Sequence, residues 1–126
     1  MKIRIYDFPY INMSPIDLYK ALADDTRLKS VLLIFSEQEL CVCELTAALG
    51  LSQPKISRHL AQLKKVMLLS DRRQGQWIYY RINEDIPDWA KQVIATTLSA
   101  NQDVIAAANL SLARMGDRPM RKQVCC

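Results

Sequence analysis

Metal binding and catalysis have little to work with in this chain: one histidine, four cysteines and three glycines among 126 residues. No CxxC pair is present, so the spacing of zinc ribbons and thiol oxidoreductases is missing. With glycine so scarce there is no phosphate-cradling loop, and no convergent set of acids and bases stands out. An enzyme is not expected, nor is an organic cofactor. Four cysteines are also too few for a metal buffer. No apolar run approaches the ~20 residues that span a bilayer, and the N-terminus, MKIRIYDFPYINM, lacks the apolar core and cleavage site of a signal peptide. The expectation is a cytoplasmic protein without membrane association. Its cysteines (Cys41, Cys43, Cys125, Cys126) are then reduced thiols or metal ligands rather than structural disulfides.

What is present suits one domain with a real core. The length fits a single domain and half of the residues are hydrophobic. Net charge is +4 and the pI is near 9.0, which fits an acidic polymer as partner without demanding one. Residues 1–13 form a lead-in without clear period. Ser14-Pro15-Ile16-Asp17 reads as a helix start, with a capping serine, proline at the first helical position and an acid at the positive end of the dipole. Leu18, Tyr19 and Leu22 follow at helical spacing to about Ala23. Asp24 to Arg27 offers a second cap, before Leu28, Val31, Leu32 and Phe35. A short helix is expected from about Cys43 to Leu49, with Leu45, Ala48 and Leu49 inward and Gly50 ending it. Ser52 caps the next helix, which runs to about Val66 with Ile56, Leu60 and Leu63 inward.

Two strand-like runs, Leu68 to Arg73 and Gln76 to Ile82, flank Gln74-Gly75 and read as a hairpin with a basic tip. Asp88 to about Met115 reads as one long, mostly helical segment, and residues 116–126 as a tail of glycine, proline and charge that carries the Cys125-Cys126 pair. The fold class expected over residues 14–115 is mainly α with a β-hairpin wing: a winged helix-turn-helix in the order α-α-α-α-β-β-α, with helices left over at both ends as dimer material.

A helix lying in a DNA major groove needs small polar and basic residues near its N-terminus, free of the core. Gln53, Lys55, Ser57 and Arg58 meet that need. Glutamine and arginine make bidentate contacts to base edges, and lysine and serine hold phosphates. At about 100° per residue, Gln62 shares the outward face with Arg58. The hairpin tip, with Arg72, Arg73 and Gln76, can reach the backbone or the minor groove. His59 is a further candidate DNA contact. The plainer alternative is a solvated charged face, against which stands the pairing of a basic helix with a basic hairpin at helix-turn-helix spacing.

Cys41 and Cys43 lie immediately before that motif. In a regular helix residues i and i+2 point to nearly opposite sides, so both sulfurs reach one ion only where the chain is extended or distorted. The pair is therefore expected at the frayed start of the helix, where the helix dipole also favours thiolate. Soft thiolates select As(III), Sb(III), Cd(II), Pb(II), Zn(II) or Cu(I). Two small cysteines packed under the helix-turn-helix are the alternative.

The box Glu39-Leu-Cys-Val-Cys-Glu-Leu45 resembles the ELCVCDL metal-binding box of the ArsR/SmtB family of metalloregulatory repressors, and Ser52-Gln-Pro-Lys-Ile-Ser-Arg-His-Leu60 resembles that family's recognition helix. Asp25-Thr26-Arg27-Leu28 and Arg73-Gln74-Gly75-Gln76-Trp77 resemble two further signatures of the family, and the likeness runs from about Pro15 to Trp89. It is nearest to the family's arsenical-resistance operon repressors. The resemblance implies a homodimer, joined through its first and last helices, that leaves double-stranded operator DNA when As(III) or Sb(III) binds the thiols. Arsenical repressors with this box often carry a third cysteine three residues after the second. Here that residue is Thr46, which leaves Cys125, Cys126 or neither as the third ligand. Residues 1–40 hold none of the N-terminal cysteines of the cadmium and lead sensors, and no histidine follows His59 to make the zinc sensors' last-helix site. A Cd(II)-, Pb(II)- or Zn(II)-responsive repressor, using the tail pair with Cys41 and Cys43, and a thiol-redox-responsive regulator are the alternatives.

Overall fold

Short polar side chains open three of the helices. In the computed structural model, which describes residues 13–116, Ser14 Oγ accepts the Asp17 N–H at 3.1 Å and starts α1, Pro15–Leu22. Asp24 Oδ2 accepts the Arg27 N–H at 3.0 Å and starts α2, Asp25–Glu37. That bond holds the Asp24 carboxyl below the usual carboxylate range, so the cap stays ionised. Helix α2 is the rod of the core, with Val31, Leu32, Leu33 and Ile34 all buried. Helix α3, Val42–Leu49, ends at Gly50, whose φ of 66° and ψ of 33° are left-handed. Ser52 then caps α4, Gln53–Lys65, which buries Ile56, Leu60 and Leu63 completely.

The end of α4 is built without glycine. Leu68 N–H bonds Leu63 C=O at 3.0 Å and Met67 N–H bonds Lys64 C=O at 2.9 Å, the two bonds of a Schellman motif. Its left-handed position is Met67, at φ 68°. The side chain is exposed, so little packing compensates a conformation that disfavours Cβ. Met67→Gly is expected to raise unfolding free energy by about 0.5–1 kcal/mol, read from the denaturant midpoint at unchanged slope.

The hairpin forms where the sequence places it. Strands β2, Leu69–Gln74, and β3, Trp77–Ile82, pair antiparallel with Gln74 opposite Trp77. Gly75, at φ 63°, holds the first central position of the two-residue turn, as a type II′ turn requires. An additional strand, β1, Leu40–Cys41, pairs with β3 through Leu40–Tyr80 and Cys41–Tyr79. Strand β3 is therefore the centre of a three-stranded antiparallel sheet in the order β1-β3-β2.

The expected single helix from Asp88 to Met115 is instead divided. Helix α5 is Asp88–Ala100, a 3-10 turn spans Gln102–Ile105, and α6 is Ala106–Met115. Asn101 makes the break: its backbone leaves helical geometry at φ −139°, ψ 46°, and its Nδ2 donates back to Thr97 C=O at 3.0 Å. Asparagine competes for helix carbonyls in this way. The break lets α6 pack against α3, with Ile105, Ala108 and Leu112 buried. Tyr19, grouped above with Leu18 and Leu22, points outward. It is 53% exposed, and Ile16 beside it on α1 is 62% exposed. Met13, at the end of the lead-in, is buried in the core. No helix among the described residues is long and apolar enough to cross a membrane.

Candidate nucleic-acid interface and thiol pocket

Burial of Ile56, Leu60 and Leu63 fixes which side of α4 faces out. Gln53, Lys55 and Arg58 are exposed there, and Ser57, half-buried, accepts Gln53 Nε2 at 2.9 Å. Arg73 and Gln76 are exposed on the hairpin, to either side of its glycine. Among the described residues, Lys55, Arg58 and Arg73 make no ion pair. These cations are thus uncommitted on one basic helix and one basic hairpin. Lys64, by contrast, bonds Asp71 at 3.0 Å, tying α4 to β2, and that bond raises the Lys64 ammonium above its ordinary value.

Three other candidate DNA contacts are committed within the protein. Gln62 Oε1 accepts Arg27 Nη1 at 2.8 Å. His59, its side chain only 13% exposed, lies with Nδ1 3.4 Å from Arg27 Nη1 and 3.8 Å from Asp24 Oδ2. Arg27 also donates from Nε to Ala21 C=O at 2.8 Å and from Nη2 to Lys20 C=O at 3.2 Å. One guanidinium therefore joins the end of α1, the start of α2 and the outer side of α4. Arg72 turns back across the sheet: Nε and Nη2 donate to the two carboxylate oxygens of Glu39, each at 2.6 Å. Neither Arg27 nor Glu39 was a candidate from sequence. The only signal was their place inside motifs, the DTRL run and the first residue of the cysteine box.

Cys41 is both the last residue of β1 and the N-cap of α3, with extended φ −91° and ψ 167°. Cys43 sits in the first helical turn. The two sulfurs are therefore not held to opposite sides of a helix, as regular geometry would require. Cys41, which is in no disulfide, is 2% exposed; Cys43, half-buried, is disulfide-bonded, against the expectation of reduced thiols throughout. Pairing with Tyr79 fixes Cys41 from one side; from the other, Glu44, fully buried, accepts the Cys41 N–H at 2.8 Å. Thr46, at the position of the missing third cysteine, donates its hydroxyl to Val42 C=O at 2.8 Å.

Both cysteines line an open pocket of about 270 Å³ whose other walls are Val42, Gln53, Gln76, Trp77 and Ile78. One cavity thus touches the cysteine pair, the first residue of α4 and the hairpin tip. No cluster of three or more histidine, cysteine or carboxylate groups suited to a metal occurs among the described residues. Cys125 and Cys126, the candidates for a third ligand, lie outside those residues.

Residues 24–70 match the family model described as bacterial regulatory protein, arsR family. That span covers α2, the thiol pair and α4. The chain is 53% identical over 114 residues to the arsenic resistance transcriptional regulator ArsR2 of Pseudomonas putida, covering 90% of this chain and 99% of the relative. It is 48% identical over 111 residues to the arsenical resistance operon repressor of Escherichia coli, covering 88% and 95%. Among solved structures it is similar to reduced HlyU from Vibrio cholerae, with a TM-score of 0.61 and 30% identity over 68% of this chain and 85% of that one.

Proposed function

The chain belongs to the arsR family of bacterial regulatory proteins, and we propose that it is a dimeric repressor released from operator DNA when As(III) or Sb(III) binds Cys41 and Cys43. The observation that carries this reading is the shared pocket, in which the thiols, Gln53 and Gln76 are neighbours. The donor set suits a soft trivalent ion, and the extended backbone at Cys41 removes the geometric obstacle to both sulfurs meeting it. The likeness, over about nine tenths of the chain, to two relatives named for arsenic resistance adds support. Gln53 and Arg58 read base edges in the major groove, Lys55 and Ser57 hold phosphates beside it, and Arg73 and Gln76 touch the backbone or the minor groove. Ile16 and Tyr19 on α1, with Trp89 on α5 and Leu110 on α6, leave apolar surface for a second copy.

In this mechanism the ion draws Cys41 and Cys43 together and reshapes the start of α3. Leu45, Ala48 and Leu49 pass the change to Ile56 and Leu60, and the pocket wall passes it to Gln53 and the hairpin. DNA and inducer then oppose each other reciprocally, by about 1–3 kcal/mol per linked site.

The test is anisotropy of labelled two-fold operator DNA, with and without arsenite, on reduced protein, in which the Cys43 disulfide is opened to a thiol, shown by sedimentation to be dimeric. Arsenite should release the wild-type protein; specific binding that ignores arsenite would refute the reading. In the same assay Arg58→Ala should cost about 1–3 kcal/mol on operator DNA through loss of a base contact. Arg73→Ala should weaken specific and nonspecific DNA alike and lower the salt slope by about 1. Equal losses from both changes on every sequence would remove this division of roles.

A further inference from the structure

We propose that Arg72, through Glu39, is the positioning residue that couples the thiol pair to the wing, rather than a DNA contact. The inference rests on the inducer reading above and assigns a route to it.

The register of the sheet places the parts. Tyr79 on the central strand is opposite Cys41 on β1 and opposite Arg72 on β2. Residues directly opposite each other across a sheet project on the same face. Cys41, Tyr79 and Arg72 are therefore one row across three strands. Arg72 lies along that row, its guanidinium carbon 4.7 Å from the Tyr79 ring centroid, and reaches Glu39 with two parallel N–H donations of 2.6 Å. Its third nitrogen, Nη1, donates to Gln74 Oε1 at 2.8 Å. The whole fork is thus engaged inside the protein, and Glu39, 17% exposed, is shielded enough for a bidentate pair to hold its geometry. Arg73, the next residue on β2, projects on the opposite face and stays available to DNA.

Glu39 stands two residues before Cys41, and Gln38 precedes it at φ 75°, ψ −35°, a strained conformation for a residue with a side chain. The strained residue separates the rigid α2 from the short Glu39–Cys41 segment. In the reduced protein, movement of Cys41 toward an ion held with Cys43 therefore moves Glu39 with it, and Arg72 carries the displacement into β2 three residues before Gly75 of the turn. The core route through α3 addresses the recognition helix; this row addresses the wing.

Arg72→Met and Glu39→Gln test the route, with operator affinity measured at several salt concentrations, with and without arsenite. The wild-type ratio of dissociation constants, plus and minus arsenite, is expected within the about 5–150-fold range of linked sites. Both variants should fold, keep the wild-type salt slope and bind operator without arsenite as the wild type does, while that ratio falls toward one. Glu39→Arg combined with Arg72→Glu should restore a substantial part of it. A salt slope reduced by about 1 in Arg72→Met, the mark of a lost phosphate contact, with the arsenite ratio intact would overturn the inference. A wild-type protein that binds operator and ignores arsenite would overturn the inducer reading and this inference together. A responsive wild type whose two variants respond equally well would overturn this inference alone.

Discussion

Replacing Cys41 and Cys43 together by serine is expected to abolish arsenite release while leaving operator affinity intact. Neither residue is exposed: one is buried at the junction of β1 and α3, the other half-buried in the first turn. Serine preserves volume and suits an N-cap, so the helix-turn-helix should persist, at a stability cost of about 1 kcal/mol for a hydroxyl in the buried Cys41 site. What is lost is the soft donor pair, and with it the whole of a coupling expected at about 5–150-fold in operator affinity. Each single replacement should do the same, because one thiolate cannot draw the start of α3 toward anything. Cys125→Ser with Cys126→Ser is the informative companion. If a tail sulfur completes a three-thiolate site, arsenite release weakens strongly. If two thiolates suffice, release persists, and a monomethylated trivalent arsenical, with only two exchangeable positions, works at least as well as arsenite. Normal release by the Cys41→Ser, Cys43→Ser protein would sink the mechanism.

The elements legible in the sequence are those whose signals are local. Ser14, Asp24 and Ser52 cap the helices they were expected to cap, Gly50 ends α3, Gly75 turns the hairpin, and the Ile56, Leu60, Leu63 stripe is buried. Each is a residue type with one strong conformational preference, acting within a turn of its own position. Strand β1 was not legible, because two residues carry no period and the strand exists only through its pairing with Tyr79 and Tyr80. The break at Asn101 was missed because apolar residues on both sides keep helical spacing, so a single side-chain bond to Thr97 outweighs the pattern. At the candidate site, residue type identified the exposed cations. It could not say which polar groups on the outer side of α4 and on the hairpin are held from behind. His59, Gln62 and Arg72 look alike from sequence, and only the fold brings Arg27 and Glu39 to them.

That hidden support makes Arg27 the second position where a large effect is expected. Helix α4 is anchored on its inner side by Ile56, Leu60 and Leu63, which set its depth. Its outer side is held by Gln62 and His59, which meet Arg27. Because Arg27 also binds the carbonyls of Lys20 and Ala21, it fixes the helix against the end of α1 as well as against α2. Arg27→Leu strips charge-assisted bonds from a half-buried junction and leaves the two carbonyls to water, at a cost of about 1.5–3 kcal/mol in unfolding free energy. The apolar anchors remain, so the protein should still fold, with α4 less firmly oriented. Bidentate base contacts tolerate misplacement poorly, whereas phosphate contacts carry no sequence information and adapt. Operator affinity should accordingly fall about tenfold, equivalent to 1.4 kcal/mol, with nonspecific binding and the salt slope nearly unchanged, since the donors of Arg27 are engaged within the protein. Arg27→Lys should not rescue it, because an ammonium on a flexible stem cannot supply the three directed donations of the fork. Gln62→Ala should reproduce part of the loss, and its effect should nearly vanish in the Arg27→Leu background, as expected of residues that act through one contact. Wild-type melting and operator affinity in Arg27→Lys would show that charge alone holds the junction; a salt slope lowered by about 1 in Arg27→Leu would make Arg27 a direct phosphate contact.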